Sequence, residues 1–365
     1  MRFHWYWPFA RPEEIGWAAA TARPGESVLV QVIDRPAAPE AGEHGAVTVV
    51  RDLPDVERGV SPVRWLPSRA RTYLGRAGVR RQTWRTGDFD LVHLHYLNRF
   101  TDAVVPLPSP VVLSVHDVVP HQPRLGRAEE RLLRRLYHRG DGLVVHHENL
   151  AAKLVEDFDV DPSRVHVVQH QVFPAPPAGP PPADEPPVVL FFGALRRNKG
   201  LDVLVEAFAR LPDLDARLVI AGRGDREVEE VAARAAATDA RVTAEIGFAS
   251  LDRKQELFTR SSVVVLPYTD FASQSGVLHD AYGHGRPVVV TEVGALGRSV
   301  REDGTGLVAA PADPEDLSAR IAAALEPTQW ARLAVATERV RAERSPQRTG
   351  ERLREVYDTV LSTSG

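Results

Sequence analysis

The sequence predicts an α/β protein of two domains, each built on a parallel sheet, and three observations carry that reading. The first is the stretch 188–224, VVLFFGALRRNKGLDVLVEAFARLPDLDARLVIAGRG. Val188 to Phe192 is apolar without alternation, as in a strand covered on both faces. Leu201, Leu204, Val205, Phe208 and Leu211 then recur at helical spacing. Leu218 to Ala221 supplies a second strand, which ends in Gly222-x-Gly224. Such a βαβ unit is right-handed by rule, and its ligands bind at the carboxyl ends of the strands. The second observation is that this alternation continues, with strands near 188, 218, 242, 263 and 288. The third is the run VFPAPPAGPPPADEPP at 172–187, whose prolines cannot join a sheet and form a semi-rigid spacer.

Taken in order, Arg2 to Trp7 reads as a first strand, PFARPEEIGWAAATA as loop and helix, and SVLVQVID as a second strand. Residues 36–46 are rich in Pro, Ala, Gly and Glu and read as loop, with Val47 to Val50 a further strand. Leu91 to His95 and Val111 to Val115 are buried strands, 126–139 has the spacing of a helix, and GLVVHH and HVVQH are strands that complete the domain. The tail carries helical segments at 314–326 and 328–343. Ser345–Pro346 is then an N-cap and first-residue pair for a last helix. The expected organisation is a domain over 1–171, a linker over 172–187, a second domain over 188–344, and a helix over 345–365 crossing back to the first domain. Two such domains joined by a linker imply a cleft between them, the usual place for a two-substrate site.

Composition narrows the function classes. A chain of 365 residues with 43% hydrophobic content suits two cores. A net charge of −4 offers no global field for nucleic acid, and the absence of cysteine removes disulfides, thiolate nucleophiles and Cys-ligated metals. No apolar run approaches the roughly 20 residues of a membrane span. The N-terminus, MRFHWYWPFA, has no basic segment followed by an apolar one, so no signal peptide is expected. The expected location is cytoplasmic.

Two stretches can carry chemistry. In the turn after Val188–Phe192, Gly193 allows close approach to a ligand, and Arg196 and Lys199 follow. Only three lysines occur among the 45 basic residues, namely Lys153, Lys199 and Lys254. A lysine here suggests that a compact point charge is wanted beside the guanidinium fork, a pairing suited to a diphosphate; a solvated turn with two surface cations is the alternative. In 263–290, VVVLPYTDFASQSGVLHDAYGHGRPVVV, a buried strand leads to a helix beginning near Ser275–Gly276. The amides of Ser275, Gly276 and Val277 would form an anion site there, and Asp280 could accept from ribose hydroxyls; ordinary capping is the alternative.

The order FFGALRRNKGLDVLVEAF, ARLVIAGRGD, VVVLPY…SQSGVLHDAYGHGRPVVVTEVGAL, GTGLVAAPADPEDLSARI resembles the nucleotide-sugar domain of family 4 glycosyltransferases. The likeness is strong over 188–325, moderate over 89–171 through FDLVHLHYL, VVLSVHD and VHVVQH, and weak over 1–88. It implies the GT-B fold, two Rossmann-like domains facing a central cleft, and transfer with retention from a nucleotide-diphosphate sugar to an acceptor hydroxyl. Carried over, Arg196 and Lys199 grip the donor diphosphate, Gly193 lies beside them, and Gly222 opens the loop near the nucleoside. Ser275, Gly276 and Val277 match the phosphate-binding helix start, and Asp280 the second Glu of the family's paired-Glu motif. His116 matches the catalytic-site His of the "HD" step, with Asp117 beside the acceptor. No metal or other cofactor is implied.

The chain also departs from the family. The first Glu of the pair is Ala272, with Asp270 the nearest substitute. The second Glu is shortened to Asp280, and the Gly-rich loop after the first strand is replaced by WPFARPEEIGW. These changes leave room for a pseudo-glycosyltransferase with a cyclitol donor, or for a nucleotide-sugar-binding partner without turnover. His93, His95, His146, His147 and His170 end strands, but no carboxylate cluster completes a zinc set. Segment 64–85, with Trp65, Arg69, Arg71, Tyr73, Arg76, Arg80, Arg81, Trp84 and Arg85, offers contact to an anionic membrane or a phosphorylated acceptor. A solvated Arg-rich face is the plainer reading. Gly75 and Gly78 argue against one long helix there.

Overall fold

The computed structural model describes every residue except 36–37, 56–67, 119–125, 173–174, 176–184, 271–274 and 365. The chain divides into two compact units, Met1–Gln171 with Pro346–Gly365, and Val172–Ser345. The last helix thus belongs to the first unit. Among the described residues no helix is long and apolar enough to cross a membrane.

The first unit is built on β1 (Arg2–Tyr6), β2 (Ser27–Ile33), β3 (Gly42–His44), β4 (Val47–Leu53), β5 (Leu91–Leu94), β6 (Val111–Ser114), β7 (Gly142–Val145) and β8 (Val165–Val167). They lie in the order β3-β4-β2-β1-β5-β6-β7-β8. All pairs are parallel except β3–β4. This antiparallel edge corrects the reading of 36–46 as loop throughout. Gly45 and Ala46 leave a two-residue connection with Gly45 at φ 63°, and so short a link permits only antiparallel pairing.

The helices of this unit are α1 (Ile15–Ala20), α2 (Ser68–Thr86), α3 (Arg127–Tyr137) and α4 (Glu148–Phe158). Two apolar clusters cover the sheet, one holding Phe3, Trp5, Trp17 and Val30, the other Leu94, Leu113, Val145 and Phe158. The terminal helix, Pro346–Ser364, adds Leu353, Val356, Tyr357 and Val360 to the first cluster.

In α2 the expectation of an interrupted segment is overturned, because Gly75 and Gly78 both lie within one 19-residue helix. Its buried side is made of Thr72, Arg76, Ala77 and Arg80. Arg80 donates to Asp102 at 2.6 Å and lies 4.6 Å from the Tyr6 ring centroid, while Arg76 Nε donates to the Pro54 carbonyl at 2.8 Å. An inward face built of arginines leaves no apolar period to read. Trp65 and the rest of 64–67 lie outside the described residues.

The second unit carries β9 (Val188–Leu195), β10 (Arg217–Gly224), β11 (Val242–Ile246), β12 (Val263–Leu266), β13 (Val288–Thr291) and β14 (Gly306–Ala309). They form one parallel sheet in the order β11-β10-β9-β12-β13-β14. With α5 (Leu201–Ala209), α6 (Arg226–Thr238), α7 (Leu251–Arg260), α8 (Gly276–Gly283), α9 (Leu296–Asp303), α10 (Pro314–Leu325) and α11 (Pro327–Glu343), this is the doubly wound 3-2-1-4-5-6 arrangement. Its topological switch point falls between β9 and β12. Leu201, Leu204 and Phe208 of α5 are buried on the sheet, as their spacing predicts. Most of the Pro-rich spacer lies outside the described residues. Val172, at its start, is buried in the second unit and its amide donates to the Arg344 carbonyl at 2.8 Å.

Candidate active site

In the second unit β9 and β10 run further than the apolar pattern suggests and remain paired through Gly222↔Gly193 and Gly224↔Leu195. The Gly-x-Gly is therefore strand end rather than loop. A Cβ on Gly222 would stand 1.8 Å from the Gly193 carbonyl oxygen, so only glycine lets the two strands close at the ligand end. The strand ends open onto a cleft of about 600 Å³ lined by Phe192, Gly193, Arg196, Gly222, Arg223 and Phe248, among others.

Beyond Leu195 the exposed Arg196 precedes a short turn, Arg197–Lys199. Gly200, at φ 65°, ends the turn where a Cβ would strike the Pro267 carbonyl oxygen at 1.9 Å. Hydrogen bonds tie this turn to the loop after β12: Asn198 Nδ2 donates to the Asp270 carbonyl at 3.0 Å, and the Thr269 amide to the Asn198 carbonyl at 3.1 Å. Lys199 Nζ lies 3.6 Å from the centroid of the buried Tyr268 ring. The Tyr268 hydroxyl is 2.9 Å from Ser275 Oγ at the start of α8.

Tyr268 thus links the cation of one loop to the helix N-terminus of the next, and Val277 Cγ2 would lie 3.3 Å from a Cβ on Gly193. Gly193, Arg196, Lys199, Ser275, Gly276 and Val277 are brought together at the switch point. Burial, then the neighbouring Arg196 charge, pulls the Lys199 ammonium down to about 8. Burial pushes the Tyr268 phenol up to about 12.

Asp280 is placed differently from a free ribose acceptor. Its Oδ1 accepts from Lys254 Nζ at 2.6 Å, and the two side chains are only 12% and 15% exposed. Sequence reasoning assigned no role to Lys254, although it is one of only three lysines in an arginine-rich chain. Phe248 was missed as well. It follows β11, is 82% exposed at the cleft rim and lies 5.8 Å from the Arg223 guanidinium. The signal was an aromatic just after a strand's carboxyl end, in the segment EIGFAS. Ala272 lies outside the described residues, and Asp270 is seen through its carbonyl, which holds Asn198.

In the first unit His116 follows β6 and His146 follows β7, with ring centroids 4.9 Å apart. His116 Nε2 donates to the His95 carbonyl and His146 Nδ1 to the Val168 carbonyl, each at 2.8 Å. The remaining nitrogens, His116 Nδ1 and His146 Nε2, face each other at 3.1 Å. Two carbonyls fix one N–H on each ring, so the facing pair forms a hydrogen bond only when the dyad holds one proton beyond neutrality. Burial lowers both rings below the ordinary histidine range, His146 well below it.

Asp117 beside them is exposed. His93 is buried between the Tyr357 hydroxyl at 2.7 Å and Ser114 Oγ at 2.8 Å, and His95 stacks on Trp5 and packs against Trp7 and the edge of Trp17. These two are core histidines. Among the described residues no group of three His, Cys, Asp or Glu is placed to hold a metal ion.

The two parallel-sheet units have the architecture of the GT-B fold class. The sucrose-phosphate synthase of Thermosynechococcus elongatus superposes with a TM-score of 0.74 at 18% identity, covering 100% of both chains. Anabaena HepE in complex with UDP and glucose gives 0.67 at 16% identity, covering 98% of this chain and 99% of that one. Residues 18–174 match the Glycosyltransferase Family 4 model and residues 186–327 the Glycosyl transferases group 1 model. The chain belongs to family 4 of the glycosyltransferases. A D-inositol 3-phosphate glycosyltransferase of Mycolicibacterium vanbaalenii is 26% identical over an alignment of 305 positions that covers 71% of this chain and 65% of that protein. Two other curated glycosyltransferases are matched over 35% and 30% of their own lengths.

Proposed function

We propose that the chain transfers a glycosyl group from a nucleoside-diphosphate sugar to an acceptor hydroxyl, with retention of configuration. The observation that carries this reading is the convergence of Arg196, Lys199 and the N-terminus of α8 at the switch point, coupled through Tyr268 and Ser275. Departure of the nucleoside diphosphate builds negative charge on its oxygens while the sugar becomes oxocarbenium-like. Preorganised cations and main-chain N–H groups stabilise that charge, and such a site supplies several kcal/mol of barrier reduction. The cleft beside Gly193 and Gly222 suits the nucleoside, with Phe248 as a wall for the base and the Lys254–Asp280 pair fixing the ribose side.

UDP-glucose is the first donor to test, since HepE was solved with UDP and glucose. The departing phosphate oxygen takes the acceptor's proton, so no side-chain nucleophile is required. His116, beside His146 at the ligand end of the first unit, is read here as a group near the transferring sugar. In this reading the donor is the co-substrate, and no metal or other cofactor is needed.

The test is steady-state kinetics with a panel of UDP-, GDP-, ADP- and dTDP-sugars. Lys199→Ala and Arg196→Ala are each expected to lower kcat/KM at least ~100-fold, about 2.7 kcal/mol. Kinetics close to wild type in both variants would remove the diphosphate assignment. Donor binding without product, across acceptors, would favour a non-catalytic role.

A further inference from the structure

Three partly exposed aromatic rings and two arginines gather at the ligand end of the first unit, apart from the groups assigned above. Phe9 lies in the loop after β1, Tyr96 just after β5 and Tyr73 on α2, and they are 40%, 39% and 36% exposed. Phe9 and Tyr96 meet edge to face with centroids 5.3 Å apart. The Phe9 ring is flanked by the Arg35 guanidinium at 5.5 Å and the Arg76 guanidinium at 5.6 Å, and Arg76 also lies 5.8 Å from the Tyr73 centroid. Tyr96 continues the surface to His116, 5.1 Å away between ring centroids. β1 and β5 are the neighbours at which the strand order of this sheet reverses, the position where such sheets bind ligands.

The arginines are held in place but not neutralised. Arg76 is 3% exposed, and among the described residues its one hydrogen bond runs from Nε to the Pro54 carbonyl. Arg35 spends one nitrogen on the Phe9 carbonyl at 3.0 Å. Neither forms an ion pair with a described carboxylate, although Asp55 lies close enough to act on Arg76 electrostatically. The other nearby acids are spoken for: Glu14 is bridged to Arg11 at 3.0 Å and Asp34 to Arg51 at 2.8 Å. With Nε held by the Pro54 carbonyl, the two NH₂ groups of Arg76 form no hydrogen bond to a described acceptor and remain available to a ligand's oxygens. A planar fork of this kind matches phosphate or carboxylate oxygens two at a time. Exposed aromatic faces beside it suit the apolar face of a ring.

We propose that Phe9, Arg35, Tyr73, Arg76 and Tyr96 form an acceptor subsite for a ring-bearing molecule that carries an anionic group, a phosphate ester above all. Arg35 and Arg76 hold the anion, and Phe9 and Tyr96 pack on the ring, which leaves its hydroxyls directed along the surface toward His116. The word acceptor rests on the transferase reading; the anion subsite rests only on these residues.

The test uses the full chain loaded with UDP and calorimetric titration of a matched pair, glucose and glucose 6-phosphate. Glucose 6-phosphate is expected to bind at least ~10-fold more tightly than glucose. Arg35→Gln and Arg76→Gln should each abolish the difference, and Phe9→Ala should weaken both ligands alike. Arg35 lies at the rim, so its variant keeps the test sound if the buried Arg76 variant unfolds. Vesicles containing phosphatidylinositol form a second arm: binding to them alone, lost in the arginine variants, identifies the anion as a lipid headgroup and keeps the subsite.

Equal binding of glucose and glucose 6-phosphate overturns the proposal. So does a full response, to free or vesicle-borne phosphate, that survives both arginine variants. The preceding UDP titration reads the second unit separately. A chain that binds glucose 6-phosphate but no UDP would refute the donor assignment and retain this subsite.

Discussion

The two units share a parallel 3-2-1-4-5-6 core, to which the first adds β8 and the antiparallel β3, and they equip its ligand end in opposite ways. The second unit builds its site mainly from backbone: glycines that let β9 and β10 close, a helix N-terminus, and two cations on a turn stitched to the next loop. The ligand end of the first unit instead gathers large side chains from distant segments, among them Phe9, Arg35, Tyr73, Arg76, Tyr96, His116 and His146. Eleven of the thirteen histidines precede residue 172. A diphosphate is the same in every donor and can be held by main-chain N–H groups, whereas an acceptor must be told apart from others, which takes side chains.

The largest expected effect tests the backbone half of that contrast. Gly222→Ala sets a methyl group against the Gly193 carbonyl oxygen, and urea unfolding of the second unit should show a loss of more than ~3 kcal/mol. Retention of wild-type stability would mean that the strands are not closed as described.

Acid sharpens the other half. Burial holds His4 and His93 down to about 3, and His95 and His146 well below their usual range. The unfolded chain binds these protons near pH 6.5 and the folded unit only at much lower pH. The stability contributed by the neutral rings is therefore present above pH 6.5 and is lost as pH falls from 6.5 toward about 3. The first unit should lose several kcal/mol over that window. Fluorescence of Trp5, Trp7, Trp17 and Trp84 during urea titration reads it. Hydrogen exchange should show the second unit, which holds two of the thirteen histidines, giving way later.

A smaller effect concerns the ribose side. Lys254→Met leaves Asp280 largely buried without its partner and should raise the donor KM about tenfold with less change in kcat, with Lys254→Arg recovering part of it. The smallest expected effect has the opposite sign. Gly78 faces open space in mid-helix, so Gly78→Ala should stabilise the first unit by up to ~1 kcal/mol in thermal unfolding.

The same contrast explains what could be read from the sequence. Strand β9, helix α5 and strand β10 are contiguous, and their apolar periods and glycines mark them without reference to the rest of the chain. Arg196 and Lys199 were legible for that reason, and Ser275–Val277 from the buried strand and helix start within 263–290. Helix α2 was not, because its buried face is arginine satisfied by Asp102, Pro54 and the Tyr6 ring, contacts that no local period reveals. Strand β3 was hidden in a Pro- and Gly-rich run. The Lys254–Asp280 pair joins positions 26 residues apart on different helices. The His116–His146 dyad and the Phe9–Arg76 surface exist only once the strands of the first unit are side by side.

The placement of Pro346–Ser364 in the first unit bears on the birth of the molecule. Leu353, Val356, Tyr357 and Val360 complete the apolar layer over Phe3, Trp5 and Trp17. Those residues follow the second unit in the chain, so the first unit cannot close its core until the second has been synthesised. The second unit can settle while the first still lacks its keystone, and removal of Pro346–Ser364 would injure the first unit rather than the second.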